Sequence, residues 1–269
     1  MSVQTAVDSA GAARYAFDNG NPISLPRLHL LAEIWDPISQ RFLRDVGVAP
    51  GWSCWEIGAG AGTLVRWLRS QVGEQGRVLA TDLDPRFLEG LSADNVAVRR
   101  HDIAQDPLPP EQFDLIHARL VLCHVPGRER VLDQLILALK PGGWLVIEDF
   151  DGLGMLPDAD VIKSETALAS ADAMRELMRR RGVNLRFGRH LVEHFRARSL
   201  QEIRGVASSH MIQPGSESAS LLRLTLEQVR NEAIALGLTT PEQFASDLDV
   251  VEHSYLGPAP VMWSVAGRK

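Results

Sequence analysis

Short apolar runs alternate with amphipathic segments between residues 52 and 150. The apolar runs have the length of buried strands, and the segments between them carry apolar residues at helical spacing. Strands that alternate with helices imply right-handed crossovers and a parallel sheet covered on both faces. The pattern predicts strands at 52–57, 77–82, 96–100, 113–118 and 144–150, and helices at 62–72, 85–92 and 127–139.

The segments on either side of this alternation have a different pattern. Apolar residues recur at helical spacing from Leu28 to Val46, and Pro37 is expected to kink or divide that helix. Beyond residue 150 the chain adds two strands and also helices that have no place in a simple crossover, which makes those helices candidate lid elements. We predict these strands at 200–212 and 260–268, and these helices at 158–182, 189–198, 217–236 and 241–252.

Composition fits a globular α/β protein. The 269 residues are 45% hydrophobic, which provides enough apolar surface for a large core. No apolar run reaches the roughly 18 residues of a membrane span, and the N-terminus lacks the pattern of a secretory signal. A net charge of -6 argues against a constitutive nucleic-acid binder. We divide the chain into an N-terminal helical arm or cap at 1–50, a core at 51–150 and, in the same domain, the rest of the sheet with inserted lid helices at 151–269.

The two cysteines, Cys54 and Cys123, both lie among apolar neighbours. Two thiols are too few for a disulfide framework or a cysteine-based metal site. We therefore expect both to be reduced core residues of a cytoplasmic protein.

A glycine-rich loop is the most informative segment of the chain. Residues 56–64 read EIGAGAGTL and lie between a predicted strand and a predicted helix. Glycines at 58, 60 and 62 allow a tight turn and a close approach of a ligand to the main chain, and the helix that follows presents free N–H groups. Such a loop fits any nucleotide-like ligand.

Two aspartates extend this loop into a longer site. Asp82 closes the next strand, where a carboxylate can accept both hydroxyls of a ribose, and Asp102 closes the third strand, where it can accept an exocyclic amine such as adenine N6. Leu83 and Ile103 follow these acids and can sandwich a flat ring. One ligand would then span three successive strand ends.

Glu56 separates two cofactor hypotheses. An acid directly before the glycine loop would repel the pyrophosphate of a dinucleotide and attract an ammonium group. S-adenosylmethionine (SAM) has an amino-acid end, a ribose, an adenine and no phosphate. The loop also reads G-x-G-x-G, which differs from the G-x-G-x-x-G pattern of dinucleotide sites. The sequence therefore favours SAM.

Residues 52–150 resemble the core of class I SAM-dependent methyltransferases, and they are most similar to the small-molecule branch with the ubiquinone/menaquinone-biosynthesis and natural-product enzymes. The resemblance implies a Rossmann-like α/β fold with a seven-stranded sheet, mostly parallel with an antiparallel last strand, plus helical lid elements. The matching segments are EIGAGAG (56–62), ATDLDP (80–85), HDI (101–103), FDLIHARLVLCHVP (113–126) and LKPGGWLVIEDFD (139–151).

The resemblance also implies roles for individual residues. The main chain around Gly58, Ala59 and Gly60 would contact the methionyl part of SAM, and Glu56 would face its amino group. Asp82 would hold the ribose, Asp102 the adenine, and Leu83 and Ile103 would flank the ring. The remaining expected neighbours of the cofactor are Ala118 and Arg119 beside the methionine moiety, and Tyr15 and Arg27 from the N-terminal arm.

The acceptor chemistry points to the ends of the fourth and fifth strands. Methyl transfer is an in-line displacement, so the protein mainly positions the acceptor and removes its proton. His124 follows an apolar turn and has the intrinsic pKa of a general base, although it also fits a histidine packed beneath the cofactor. Glu148 and Asp149 alternate across the sheet, so one of them is expected to bind a polar substrate or orient a base. His117 lies within an apolar strand and is expected to be a satisfied core residue.

Other features of the chain leave alternatives open. The fourth strand ends without an acid, and the Asp-Asn pair of metal-dependent catechol-type enzymes is absent, so no metal is predicted. Eight arginines within 175–198 fit either recognition of an anionic partner or a solvated face balanced by the acids of 217–252.

The leading hypothesis is a methyltransferase that acts on a small molecule, with an oxygen acceptor of secondary metabolism and S-adenosylhomocysteine as product. A tRNA or protein methyltransferase is the second hypothesis within enzymes, although no nucleic-acid or membrane partner is expected. An NAD-linked oxidoreductase is disfavoured because neither Tyr15 nor Tyr255 is followed by Lys four residues later. A non-catalytic SAM-binding protein and a homodimer remain open.

Overall fold

A seven-stranded sheet organises this computed structural model, which describes residues 17–109, 112–152 and 168–269. The strand order in the sheet is β3-β2-β1-β4-β5-β9-β6, and β7 and β8 form a separate two-stranded ribbon. The strands are β1 (Ser53–Ile57), β2 (Arg77–Asp82), β3 (Val96–Arg100), β4 (Phe113–Arg119), β5 (Leu139–Asp151), β6 (Gln201–Ser208), β7 (Met211–Ile212), β8 (Gly257–Pro258) and β9 (Val261–Arg268).

Parallel pairing dominates this sheet, as the sequence predicts. β1 pairs in parallel with both β2 and β4, β2 with β3, and β4 with β5, whereas β9 runs antiparallel to β6. The strand order reverses next to β1, because β2 lies on one side of it and β4 on the other. Open parallel sheets bind ligands in the crevice at the carboxyl ends of strands at such a switch point. The glycine loop leaves β1 there.

Most helices of the described ranges begin and end close to their predicted positions. Ser216 and Thr240 each cap a helix by accepting a main-chain N–H three residues further on, and Pro241 occupies the first turn of the second of these helices. The helices are α1 (Ser24–Val46), α2 (Thr63–Val72), α3 (Arg128–Ala138), α4 (Ala169–Arg180), α5 (Phe187–Ala197), α6 (Glu217–Ala235) and α7 (Pro241–His253).

The core on one face of the sheet lies between the strands and two helices. Leu43 and Val46 of α1 and Leu68 and Val72 of α2 are fully or almost fully buried there. Cys54 belongs to this core and Cys123 is buried elsewhere, and both are free thiols, as predicted. The strand residues of this core include Val78, Ala80, Val96, Leu115, Trp144, Val146 and Ala266.

The described chain forms two compact units. The sheet unit comprises residues 35–150, 186–208 and 262–269, and the helical unit comprises the described residues within 1–34, 151–185 and 209–261. In the helical unit, α4, α6 and α7 pack on one another, and Asp247 of α7 accepts the Ser170 main-chain N–H at 2.6 Å. Leu177, Leu226 and Phe244 are among its buried apolar residues. In the described ranges no helix combines the length and apolarity needed to cross a membrane.

Two details of the predicted helices differ from the structure for local reasons. Pro37 does not divide α1, which continues through it and buries Trp35 and Phe42 on either side. The predicted helix at 85–92 is only a 3-10 turn from Pro85 to Leu88, because the chain is extended at the next residue and left-handed at Gly90.

The predicted strands at the end of the sheet also need correction. Residues 140–143, which lie between the helix predicted at 127–139 and the strand predicted at 144–150, belong to β5, because the Gly142 N–H and the Gly143 carbonyl bond to the main chain of Lys269 at 3.0 and 2.9 Å. The predicted strand at 200–212 is interrupted at residues 209–210 and continues through Gly205. Only residues 169–180 of the helix predicted at 158–182 are seen as helix, and its first ten residues lie outside the described ranges.

Candidate cofactor and methyl-transfer site

The glycine loop leaves β1 with its main chain in the left-handed region. Gly58 and Gly60 have φ angles of 66° and 53°, which favour glycine. A Cβ on Gly58 would lie 2.3 Å from Cγ2 of Val121, so this position also has no room for a side chain. The Gly58 and Ala59 N–H groups both donate to the Thr81 carbonyl, at 2.8 and 3.0 Å, which fixes the loop against β2.

Asp82 ends β2 and contacts the glycine loop. Its Oδ2 accepts the Gly60 N–H at 2.9 Å, and its Oδ1 accepts the Asp84 N–H at 3.0 Å. Burial raises the pKa of the Asp82 carboxyl, and these N–H donors oppose the rise. Because a carboxylate has about four lone-pair positions, each oxygen keeps capacity for a further donor such as a ribose hydroxyl.

Asp102 follows β3 and shapes a short turn. Its Oδ1 accepts the Ala104 N–H at 2.9 Å, and its Oδ2 accepts the Gln105 side-chain amide at 2.7 Å. Ile103 is buried beside it, and Leu83 is half-buried after β2. Since β2 and β3 are neighbouring parallel strands, Asp82 and Asp102 follow the same edge of the sheet.

A buried ion network crosses β1, β4 and β5 directly before this edge. His117 of β4 is fully buried, with its Nδ1 2.7 Å from Glu56 Oε2 and its Nε2 3.2 Å from Glu148 Oε2. The Ser39 and Ser264 hydroxyls donate to the two oxygens of Glu148. His117 is thus a satisfied core residue, as the sequence predicts.

Arg119 extends this network to helix α1. Its guanidinium donates to Ser39 Oγ at 2.9 Å and to Asp36 Oδ1 at 2.7 Å. We refer to Asp36, Ser39, Glu56, His117, Arg119, Glu148 and Ser264 together as the ion network. Its three carboxylates and two cationic side chains leave one excess negative charge next to the glycine loop.

The pKa values within the ion network follow from these contacts. Burial alone would lower the pKa of His117, but the charge of Glu56 and the hydrogen bonds to Glu148 and Glu56 outweigh it and raise the pKa to about 9. Burial alone would raise the pKa of Glu148, but the hydrogen bond and charge of His117, with the charge of Arg119, hold it below its ordinary value. His117 is therefore an imidazolium and Glu148 a carboxylate at neutral pH.

A short 3-10 turn, Leu122–His124, follows β4 and carries His124. Asp149 of β5 accepts the Cys123 N–H at 3.2 Å through Oδ2. Arg128 donates to the Leu122 carbonyl at 2.9 Å and to the Cys123 carbonyl at 3.1 Å. Burial raises the pKa of Asp149 to about 7, although its hydrogen bonds with Cys123 and the charge of Arg128 oppose this rise.

The placement of Glu148 and Asp149 corrects one expectation. Both side chains are fully buried, and Glu148 is satisfied by His117 and two serines. This burial argues against a direct substrate contact by either carboxylate. Asp149 binds the main chain of the turn that carries His124.

The other predicted neighbours of the cofactor lie in different parts of the chain. Ala118 is fully buried near the end of β4. The guanidinium of Arg119 donates hydrogen bonds to Ser39 and Asp36. Arg27 belongs to the helical unit, where its guanidinium lies 4.3 Å from the centre of the Phe17 ring. Tyr15 lies outside the described ranges.

Several residues of the site were not predicted from the sequence. Asp36 and Ser39 are one helical turn apart on α1, and this spacing is the local signal that could have paired them. Ser264 and Arg128 carry no local signal, because their partners lie in distant or irregular parts of the chain.

The arginine-rich segment is largely neutralised by acids. Glu176 binds both Arg179 and Arg180 within α4, Arg181 pairs with Glu232 of the acidic segment 217–252, and Arg175 and Arg198 also form ion pairs. These contacts favour the solvated, balanced face over an anion-binding surface. Among the residues that the structure describes, no group of three or more His, Cys, Asp or Glu side chains is placed to hold a metal ion.

Comparison with known proteins agrees with this geometry. Residues 55–145 match the family model described as "Methyltransferase domain". The chain is 36% identical over 99 residues to methyltransferase str3 of Strobilurus tenacellus, which covers 36% of this chain and 35% of that protein. It is 30% identical over 129 residues to the ubiquinone/menaquinone biosynthesis C-methyltransferase of Laribacter hongkongensis, which covers 45% of this chain and 50% of that protein. The matches thus span between a third and a half of these relatives.

Solved structures share the fold across more of the chain. The YcgJ protein of Bacillus subtilis superposes with a TM-score of 0.53 at 15% identity, over 86% of this chain and 97% of that one. An N-methyltransferase of Haemonchus contortus, solved with phosphomonomethylethanolamine and S-adenosylhomocysteine, gives a TM-score of 0.52 at 18% identity, over 99% of this chain and 58% of that one.

The sheet order, the glycine loop and the matched residues together define the class. Residues 55–145 match a methyltransferase domain, and the sheet order and glycine loop of this chain are those of class I SAM-dependent methyltransferases, whose cofactor is S-adenosylmethionine. The domain lies within the sheet unit.

Proposed function

We propose that this chain transfers a methyl group from SAM to an oxygen atom of a small molecule of secondary metabolism and releases S-adenosylhomocysteine. The contact between Gly58 and Val121 carries this proposal. Because Val121 packs against the glycine loop, the turn Leu122–His124 begins next to the main chain that would bind the methionyl part of the cofactor. The chain thereby has a candidate base close to the transferred methyl group.

The residues at the switch point fit SAM. The excess negative charge of the ion network favours a cationic ligand, and Asp82 keeps lone pairs for further donors such as ribose hydroxyls. A pyrophosphate would be repelled by Glu56, which disfavours NAD. When bound, SAM supplies a methyl group that its sulfonium has already activated. The proposed cofactor contacts are Glu56, Gly58, Ala59, Gly60, Asp82, Leu83, Asp102, Ile103, Ala118 and Arg119.

In this mechanism the protein positions the acceptor and removes its proton. His124 is the proposed general base, because histidine titrates near neutral pH and its turn adjoins the glycine loop. Asp149 and Arg128 hold the N–H and carbonyl sides of that turn. They act as positioning residues for His124.

A small acceptor is favoured by two observations. Within the described segment 175–198, ion pairs with acids neutralise Arg179, Arg180, Arg181 and Arg198. These four arginines therefore do not form a positively charged surface for an RNA or an acidic protein. The relatives that match the domain include an enzyme named for ubiquinone and menaquinone biosynthesis, and quinones are small molecules.

The test is a transfer assay with methyl-labelled SAM. We expect the label in a pool of hydroxylated small molecules, attached to oxygen, and none in bulk RNA or in a protein lysate. Label in RNA or protein, or a methyl group on nitrogen or carbon, would contradict the proposal.

The role of His124 is tested by His124→Gln. We expect turnover to fall about 100-fold or more while the affinity for S-adenosylhomocysteine stays unchanged. His190→Gln, on the half-exposed side of α5, is the matched control and should retain full turnover. A loss below about tenfold for His124→Gln would remove this histidine as the base.

A further inference from the structure

His117 occupies a position between two buried carboxylates on neighbouring strands. Glu56, His117 and Glu148 are 3%, 0% and 0% exposed. Both ring nitrogens of His117 lie within hydrogen-bond distance of a carboxylate oxygen, at 2.7 Å for Glu56 and 3.2 Å for Glu148. A neutral imidazole has one N–H and can donate to only one of them, whereas an imidazolium donates to both. When both carboxylates are ionised, this geometry therefore requires the charged form of His117.

The two carboxylates depend on His117 to different degrees. Glu148 also accepts hydrogen bonds from Ser39 and Ser264, and Arg119 supports it through Ser39. The described contacts of Glu56 include one hydrogen bond to its carboxylate, from His117. A buried carboxylate that loses its charged donor takes up a proton or moves, because desolvation penalises the ionised form. Loss of His117 would thus affect Glu56 more than Glu148.

Glu56 is the last charged side chain before the glycine loop. Ile57 separates it from Gly58, and its strand β1 forms the start of the switch point. If Glu56 is to attract the ammonium group of the cofactor, as proposed above, it must remain ionised inside the protein. A nearby cation stabilises a buried carboxylate, and His117, whose Nδ1 lies 2.7 Å from Glu56 Oε2, is the cation in hydrogen-bond contact with it.

We propose that His117 is a positioning residue for the cofactor, which holds Glu56 ionised and oriented so that Glu56 recognises the amino-acid end of SAM. This inference rests on the proposed cofactor contact of Glu56. It assigns His117 neither a contact with the acceptor nor a role in proton removal. A histidine that only fills the core would instead affect all ligands of the site equally.

Two ligands separate these roles. S-adenosylhomocysteine carries the ammonium group, and 5′-methylthioadenosine shares its adenosine and thioether but lacks the amino acid. In calorimetric titrations we expect His117→Gln to weaken S-adenosylhomocysteine binding about 10- to 100-fold, the range of a lost charged hydrogen bond, and to change methylthioadenosine binding less than about threefold. Glu56→Gln should show the same selectivity, and the double variant should be no weaker than either single one.

The controls keep the outcomes distinct. His194→Gln, a half-buried histidine of α5 that pairs with Glu129, should change neither affinity. Equal losses for both ligands, or no loss, in His117→Gln would overturn the role of His117. If the wild-type chain binds neither ligand, the proposed cofactor site itself fails.

A spectroscopic readout covers the case in which His117→Gln does not fold. In the wild-type chain at about pH 8, nitrogen NMR should show both ring nitrogens of His117 protonated, and Glu56→Gln should remove that signature. A neutral His117 ring in the wild-type chain at this pH would also overturn the proposal.

Discussion

Arg128 and Asp149 bind opposite sides of the same three-residue turn. The guanidinium of Arg128 donates hydrogen bonds to the Leu122 and Cys123 carbonyls. The carboxylate of Asp149 accepts the Cys123 N–H. The cation thus binds the carbonyl groups of the turn, and the carboxyl group binds its N–H group. The main chain of the turn that carries His124 is therefore held from both sides, by a side chain of α3 and by one of β5.

We expect Asp149→Asn to flatten the pH dependence of stability below neutral pH. Burial raises the pKa of Asp149 from 3.8 to about 7, so the folded chain keeps a proton that the unfolded chain releases. The native state binds more protons over this range, and the free energy of unfolding falls as the pH rises. The shift corresponds to at most about 4 kcal/mol.

Urea unfolding at about pH 4 and about pH 7 measures this difference. The exposed Asp249→Asn serves as the control and should retain the wild-type dependence. A wild-type slope that survives in Asp149→Asn would show that other groups cause it.

His117 should cause a second loss of stability at alkaline pH. Its pKa is raised from 6.5 to about 9 by Glu56 and Glu148 against the effect of burial. The contribution is fully present below about pH 6.5, and it is lost as the pH rises through about 9. The full contribution is about 3 kcal/mol.

Chemical denaturation of the wild-type chain and of His117→Gln between about pH 6 and 9.5 tests this. The wild-type free energy of unfolding should decline by up to about 1.4 kcal/mol per pH unit, and the variant should show no such decline. Parallel slopes in the two proteins would assign the loss to other groups.

The fold of the methyl-transfer core could be predicted because its signals are local. β2 and β3 follow runs of apolar residues with the predicted bounds, and the glycine loop at residues 58–62 marks the end of β1. The errors occur where contacts with distant chain segments determine the local secondary structure. Lys269 pairs with Gly142 and Gly143 and extends β5 toward the N-terminus beyond the strand predicted at 144–150, and no periodicity near residue 142 contains that information.

The residues of the candidate site likewise fall into those with a local sequence signal and those whose partners are distant in the sequence. Glu56, Asp82 and Asp102 could be proposed from the sequence because each lies at or directly after the carboxyl end of a strand. Ser39 and Ser264 were missed, since they meet Glu148 across 109 and 116 residues of sequence. From the sequence, one of Glu148 and Asp149 is expected to bind a polar substrate or orient a base, yet both are buried. Alternation along a strand indicates which side of the sheet a residue faces but not what covers that side.

Asp82→Ala should weaken cofactor binding by about 2–4 kcal/mol. The change removes the acceptor of the proposed ribose hydroxyls and leaves the Gly60 N–H without its partner. Calorimetry with S-adenosylhomocysteine measures the loss. Asp84→Ala is the matched control two residues away and should have a small effect on affinity, because Asp84 caps the neighbouring 3-10 turn. Unchanged affinity in Asp82→Ala would place the ribose elsewhere.

Gly58→Ala should damage the site for two separable reasons. Its φ of 66° costs an L-residue about 1–2 kcal/mol, and its new Cβ would lie 2.3 Å from Cγ2 of Val121. We expect a lower melting temperature and at least about tenfold weaker binding of S-adenosylhomocysteine. Adding Val121→Ala removes the clash and keeps the φ strain, so the double variant should recover part of both losses while Val121→Ala alone remains close to wild type. If the double variant recovers nothing, the contact between the glycine loop and the turn after β4 does not limit the site, and the placement of His124 beside the cofactor loses its support.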